Sequence, residues 1–299
     1  MSDECREITA KINTAELIEK WQERAENARD IQVITLLGAK TDLGRVRENN
    51  EDKFEFFQPD DPDVLAIKGS FYAVADGMGG HNAGQIASEL ALKTVIKAYY
   101  ADSSPVIEES LRASLQQANA LIFDAGRAIV ERSGMGTTMT ALVIRGEEAF
   151  IAQVGDSRLY RLRDGKIEQL TEDHSWVNEQ VKRGGLSPEE AEMSPFRNVI
   201  TRSLGNAPNV DVDIYTEELK VGDKFLLCSD GLSGDVKADE MADAMKKSCP
   251  SQAAQDLIEL ALERGGRDNT TVLILEIVEI VKGKCPPKRK GLGAIFTRG

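Results

Sequence analysis

Residues 138–170 read TMTALVIRGEEAFIAQVGDSRLYRLRDGKIEQL. Runs rich in β-branched and aromatic residues alternate here with short polar breaks. Strands are expected at 138–144, 149–154, 158–163 and 166–170. Asp164-Gly165 is a hairpin dipeptide. The stretch therefore reads as an antiparallel meander.

Outward from the meander, the same patterns continue on both sides. Toward the N-terminus, strand-like runs stand at 33–40, 54–57 and 71–75. Two helical patterns follow, with Ile86, Leu90, Thr94 and Ala98 on one face of the first. Ile107, Leu111, Leu115, Ala118, Ile122, Ala125 and Ile129 share one face of the second. Toward the C-terminus come a polar, Gly- and Pro-broken stretch at 175–205 and a strand at 225–228. Helices near 238–247 and 251–263 and a closing strand at 271–277 complete the pattern. Strands grouped apart from paired helices predict a layered α+β sandwich rather than a parallel dinucleotide-binding sheet.

Two flanks differ from this body of residues 31–281. Residues 1–30 pattern as an amphipathic helix, with Asn13 and Glu16 as a cap and Leu17, Ile18, Trp21, Ala25 and Ala28 at helical spacing. Packing on the main domain is its expected role, and a partner-binding or dimerising helix is the alternative. Residues 282–299 carry six basic side chains and no acid, with Pro286 and Pro287, and read as a flexible basic tail. A docking segment for an acidic surface is the alternative there.

Of 299 residues, 37 are Lys or Arg and 50 are Asp or Glu, a net charge of −13 with a pI near 4.8. A general nucleic-acid binder needs a clustered basic surplus and is excluded. Removing the tail leaves the rest at −19. No apolar run approaches the roughly 20 residues of a membrane span. The acidic start is unlike a signal peptide, so a cytoplasmic protein is expected. Cys5, Cys228, Cys249 and Cys285 are too scattered for a zinc or redox motif.

Some of the acid surplus is placed systematically. FYAVADGMGG puts Asp76 where a buried strand stops, and FLLCSDGLSG and VGDSR do the same for Asp230 and Asp156. RGGRDNTTVLIL sets Asp268 just before a strand, and RENNEDKF sets Glu51 and Asp52 before another. Asp-Gly alone is an ordinary turn signal. Acids repeated at five strand ends read as a cluster of oxygen ligands for hard divalent cations. Gly77 would let its own carbonyl reach an ion. Two ions a few ångströms apart generate a hydroxide at neutral pH, so metal-assisted hydrolysis at phosphorus is the inferred chemistry.

These strings resemble the metal-dependent type-2C serine/threonine protein phosphatases in their bacterial form. TDLGRVRENNEDKF, FYAVADGMGGHNAGQIAS, MGTTMTALVI, AQVGDSRLYRLRDGKIEQLTEDHS, VITRSLG, FLLCSDGLSG and RDNTTVLI occur in that family's order across nearly the whole body. The resemblance implies a four-layer α-β-β-α sandwich, two antiparallel sheets flanked by antiparallel helix pairs. It implies two Mn²⁺ or Mg²⁺ ions, with Asp76 bridging them, the Gly77 carbonyl on one, and Asp230 and Asp268 on the other. Asp156 matches the position that helps bind a third metal. Glu51 and Asp52 match acids acting through water, Asn269 matches a supporting residue, and Arg47 matches the arginine that grips the substrate phosphate. Residues 175–205 correspond to the family's flap. The implied partners are phosphorylated proteins, with a Hanks-type serine/threonine kinase and its targets as first candidates, and a monomer is expected.

Met78 stands where eukaryotic members often carry a proposed histidine acid, so no general acid is assigned. Of the two histidines, His81 is expected to pack near a helix start and His174 to be structural. The cysteine spacing excludes a cysteine-nucleophile phosphatase, and two histidines are too few for a calcineurin-like metal site. Asp211-Val212-Asp213 is the only tempting match to a dehalogenase-type nucleophile, and its polar setting argues against it. A regulatory phosphatase of an anti-sigma antagonist pathway and a non-catalytic pseudophosphatase remain as alternatives.

Overall fold

The computed structural model describes residues 31–80 and 82–283. The expected N-terminal helix, most of the basic tail and His81 lie outside these residues. In chain order the strands are β1 (Ile31–Asp42), β2 (Lys53–Phe57), β3 (Ser70–Ala75), β4 (Gly77–Met78), β5 (Gly136–Thr137), β6 (Met139–Arg145) and β7 (Glu148–Val154). They continue with β8 (Arg158–Arg163), β9 (Lys166–Gln169), β10 (Asp213–Glu218), β11 (Lys224–Cys228) and β12 (Thr270–Lys282). The α-helices are α1 (Pro62–Lys68), α2 (Ala83–Ala101), α3 (Ile107–Ala128), α4 (Trp176–Lys182), α5 (Pro188–Met193), α6 (Asp230–Ser233), α7 (Ala238–Lys247) and α8 (Pro250–Glu263).

Two five-stranded sheets form, in the orders β1-β12-β11-β8-β9 and β10-β7-β6-β3-β2, and all their pairings are antiparallel. Alternation along single strands explains the layering. In β3, Tyr72 and Val74 face the other sheet, while Phe71, Ala73 and Ala75 face α2 and α3. In β12, Leu273 and Leu275 enter the core between the sheets, and Val272 and Ile274 meet α7 and α8. Strands buried on both faces lose their polar alternation, which is why these runs read as continuously apolar. The result is the expected α-β-β-α sandwich.

Three local expectations change. The core face of α2 is Ala87, Ala91, Val95 and Tyr99 with Ala83 and Leu92, while Ile86 and Leu90 pack only partly buried at its flank. Small alanines let the helix lie close to the sheet, so side-chain size misleads about which face is deepest. Helix α3 stops at Ala128, leaving Ile129 as a partly exposed cap. Strand β12 continues to Lys282 opposite Ile31, one residue into the segment read as tail.

Register then decides where the site lies. Lys53 at the start of β2 faces Ala75 at the end of β3, and Met139 at the start of β6 faces Val154 at the end of β7. In the other sheet Cys228 at the end of β11 faces Val272 near the start of β12 and Arg158 at the start of β8. Antiparallel pairing thus brings the residues before β2, after β3, after β7, after β11 and before β12 to a single edge of the sandwich.

Candidate active site

That edge holds every acid singled out in the sequence. Asp76 leaves β3 with its backbone held on both sides. Its N–H donates to Thr138 Oγ1 at 2.9 Å, and its carbonyl accepts from Thr137 Oγ1 and Thr138 N–H, each at 2.8 Å. Gly77 is packed against α2 so closely that a Cβ would stand 2.1 Å from the Gly84 carbonyl oxygen. Only glycine fits there. Asp230 opens α6 behind Ser229, and Ser229 ties the two sheets together. Its hydroxyl donates to Asp52 Oδ2 at 2.6 Å and accepts from Thr271 N–H at 2.9 Å.

Asn269 organises the loop between β1 and β2. Its Oδ1 accepts from Glu51 N–H at 2.8 Å, while Nδ2 donates to the carbonyls of Leu43 and Asn49. Arg47 on that loop donates through Nη2 to Asp268 Oδ2 at 2.7 Å and stays half exposed. Gly44 adopts φ +80° and lies against the Asp268 backbone, turning the loop back toward the site. Glu51 runs over the start of α2, where a Cβ on Gly84 would meet its carboxylate at 2.6 Å.

The electrostatics are those of an anionic cluster with Arg47 paired to Asp268 at its rim. Burial, then the charges of Asp52, Asp230, Asp156 and Asp268, push Asp76 far above the usual carboxylate range. Burial foremost raises Asp52 to about 7 and Asp156 to about 8, with Asp230 adding to both. Asp230 is raised by burial and by Asp268, and Glu51 chiefly by burial. Oδ1 of Asp52 and Oδ1 of Asp156 are buried without a hydrogen-bond donor. Buried acceptors of this kind call for a partner. Among the described residues no three His, Cys, Asp or Glu side chains close into a ready ligand cage. The donor set is entirely oxygen and anionic, which fits hard divalent cations.

Elsewhere on the chain the alternatives fall away. Cys228 is buried in the core and its thiol is pushed up to about 12 by burial, so it is no nucleophile. Asp213 belongs to β10 and pairs with Arg202 and His174 rather than standing free. A separate cleft between Phe123, Arg127, Met135 and Asn206 carries no acid.

Comparison with known proteins agrees with this geometry. The protein phosphatase 2C family model matches residues 45–263. The chain belongs to that family. The serine/threonine phosphatase stp of Listeria welshimeri is 39% identical over 250 residues, covering 82% of this chain and 97% of that protein. The crystal structure of the Mycobacterium tuberculosis serine/threonine phosphatase PstP/Ppp superposes with a TM-score of 0.74 at 35% identity, covering 83% of this chain and all of that one. The PstP catalytic domain in complex with two manganese ions gives a TM-score of 0.72 at 34% identity, covering 83% of this chain and all of that one. This family member is a metal-dependent serine/threonine protein phosphatase, and phosphoproteins are its substrate class. Among the described residues no helix is long and apolar enough to cross a membrane.

Every site residue named from the sequence lies at this edge of the phosphatase. Sequence reasoning missed Ser229, Thr137 and Thr138, whose hydroxyls act here by holding backbone and Asp52 rather than by contributing charge. It also missed the partners of His174, because Gly155, Arg202 and Asp213 are distant in the chain. Serine before Asp230 and paired threonines after a glycine are the only local signals, and both are common in ordinary turns.

Proposed function

We propose that Asp76, the Gly77 carbonyl, Asp230 and Asp268 hold two Mn²⁺ or Mg²⁺ ions, with Asp156 and Asp230 contributing to a third. Such ions, when bound, polarise water for attack on phosphorus and neutralise charge on the phosphoryl oxygens. The observation carrying this reading is geometric: Asp52, Asp76, Asp156 and Asp230 meet at one edge of the sandwich, and Oδ1 of Asp52 and of Asp156 is buried there without a hydrogen-bond donor.

The chain's own residues do the rest. Arg47, exposed beside the cluster, turns its planar fork of donors from Asp268 to two oxygens of a phosphoserine or phosphothreonine. Asn269 fixes the loop that carries Arg47, so the phosphate clamp and the acids keep one spacing. Glu51 and Asp52 accept hydrogen bonds from ordered water and position it at the cluster. Residues 175–205, with only short helices and few buried side chains, gate access as a flap. Hydrolysis proceeds without a covalent enzyme intermediate. Phosphoproteins made by a Hanks-type kinase are the first candidate substrates, met by a monomer in the cytoplasm.

Asp76→Asn tests the assignment. It should lower phosphopeptide turnover by more than about a hundredfold and weaken Mn²⁺ binding, since even partners one shell outside a metal's ligands are worth 10–100-fold. Near-normal Mn²⁺-dependent turnover in that variant would contradict it.

A further inference from the structure

We infer that His174 is a positioning residue that sets the place of Asp156 and joins it to both roots of the 175–205 flap. The inference rests on reading Asp156 as a cation ligand. Asp156 sits on the turn between β7 and β8, and the residue before it has no side chain to anchor the turn. Gly155 has φ +108° and lies so near Thr138 that a Cβ would stand 2.5 Å from Thr138 Cγ2. The turn is therefore anchored by its neighbours. Gly155 N–H donates to His174 Nδ1 at 3.0 Å, and Gly155 O accepts from His174 N–H at 2.9 Å.

A backbone N–H can only donate, so Nδ1 must carry the lone pair and the ring proton sits on Nε2. Asp213 Oδ2 lies 3.1 Å from Nε2 and accepts that proton, while Arg202 Nη1 holds the other Asp213 oxygen at 2.7 Å. The His174 carbonyl accepts from Thr201 N–H at 2.8 Å, and the next residue, Ser175, bridges to Ile200. One buried imidazole thus faces the Asp156 turn with one nitrogen and, with the other, Asp213 of β10, which Arg202 at the flap's far root also holds. Asp76, in contrast, is held by Thr137 and Thr138 without His174. The effect of His174 should fall on Asp156 selectively.

The two nitrogens can be separated by substitution. In His174→Asn the amide oxygen can occupy the Nδ1 position and still accept from Gly155, whereas His174→Gln keeps only a donor toward Asp213. Mn²⁺ titration calorimetry on the ion-free full chain, with Asp156→Asn defining the Asp156-dependent binding event, reads the consequence. Hydrogen exchange over residues 153–158 reports the Gly155 amide directly. The expected result is that His174→Gln weakens the Asp156-dependent event about 10–100-fold and speeds exchange at Gly155, with the other events retained. His174→Asn should stay near the parent in both readouts.

Wild-type binding and exchange in His174→Gln, with the event lost in Asp156→Asn, would overturn the inference alone. Loss of every Mn²⁺ event in both His174 variants would make the residue a general structural one and overturn it too. An unchanged isotherm in Asp156→Asn would remove the reading of Asp156 and the inference with it.

Discussion

At the scale of single residues, the account turns on acids kept close together by the backbone. Asp52 and Asp156 bind protons in the folded chain up to about 7 and 8, against an ordinary value of 3.8 in the unfolded one. The folded state therefore holds more protons across that window, and stability falls as pH rises through it. Asp76 and Asp230 are shifted in the same sense. In EDTA the urea midpoint should be higher at pH 5 than at pH 8, and Mn²⁺ should shrink or reverse the difference. A midpoint that rises with pH in the ion-free chain would contradict the picture. Arg47 yields a second expectation. Charge-assisted hydrogen bonds to an ionised group contribute about 1.5–3 kcal/mol, so Arg47→Ala should lower kcat/KM for a phosphopeptide about 10–100-fold. Arg47→Lys should recover only part of this, because an ammonium cannot make the paired contact. Unchanged kcat/KM in Arg47→Ala would remove the phosphate clamp from the mechanism.

At the scale of elements, close backbone approach sets the sandwich. Gly38 in β1 lies against the start of α8, where a Cβ would stand 2.2 Å from the Pro250 backbone carbon. Gly38→Ala should destabilise by about 1–3 kcal/mol, read as a drop of several degrees in the calorimetric midpoint. An unchanged midpoint would mean that β1 and α8 are not in contact. The elements legible in the sequence were those buried on both faces, such as β3, β6, β11 and β12, where apolar runs of strand length leave little choice. Strand β10 was hidden because DIYTEE is a polar, half-exposed edge strand carrying three acids. Helix α1 was hidden by the Asp- and Pro-rich run before it, although Asp61 caps it and Pro62 opens it. Helix α5 could have been found, since Ser187-Pro188-Glu189-Glu190 forms a full capping box. The site was more legible than these elements, because each acid interrupts a strand end. Its supporting hydrogen bonds were not, because they join residues as far apart as Asp52 and Ser229.

At the scale of the whole molecule, the net charge of −13 is partly a property of one edge. Six acids from both sheets are gathered there by antiparallel register, which is also why their spacing along the chain is so irregular. Cations that bind only the folded chain stabilise it in proportion to the logarithm of their concentration. Activity should depend on the same ions. The most direct test is release of phosphate from a phosphothreonine peptide by the full chain, first stripped with EDTA and then titrated with Mn²⁺. The account predicts no turnover in EDTA and full, saturable recovery on adding Mn²⁺; turnover that persists in EDTA, or that Mn²⁺ fails to restore to a folded chain, would contradict it.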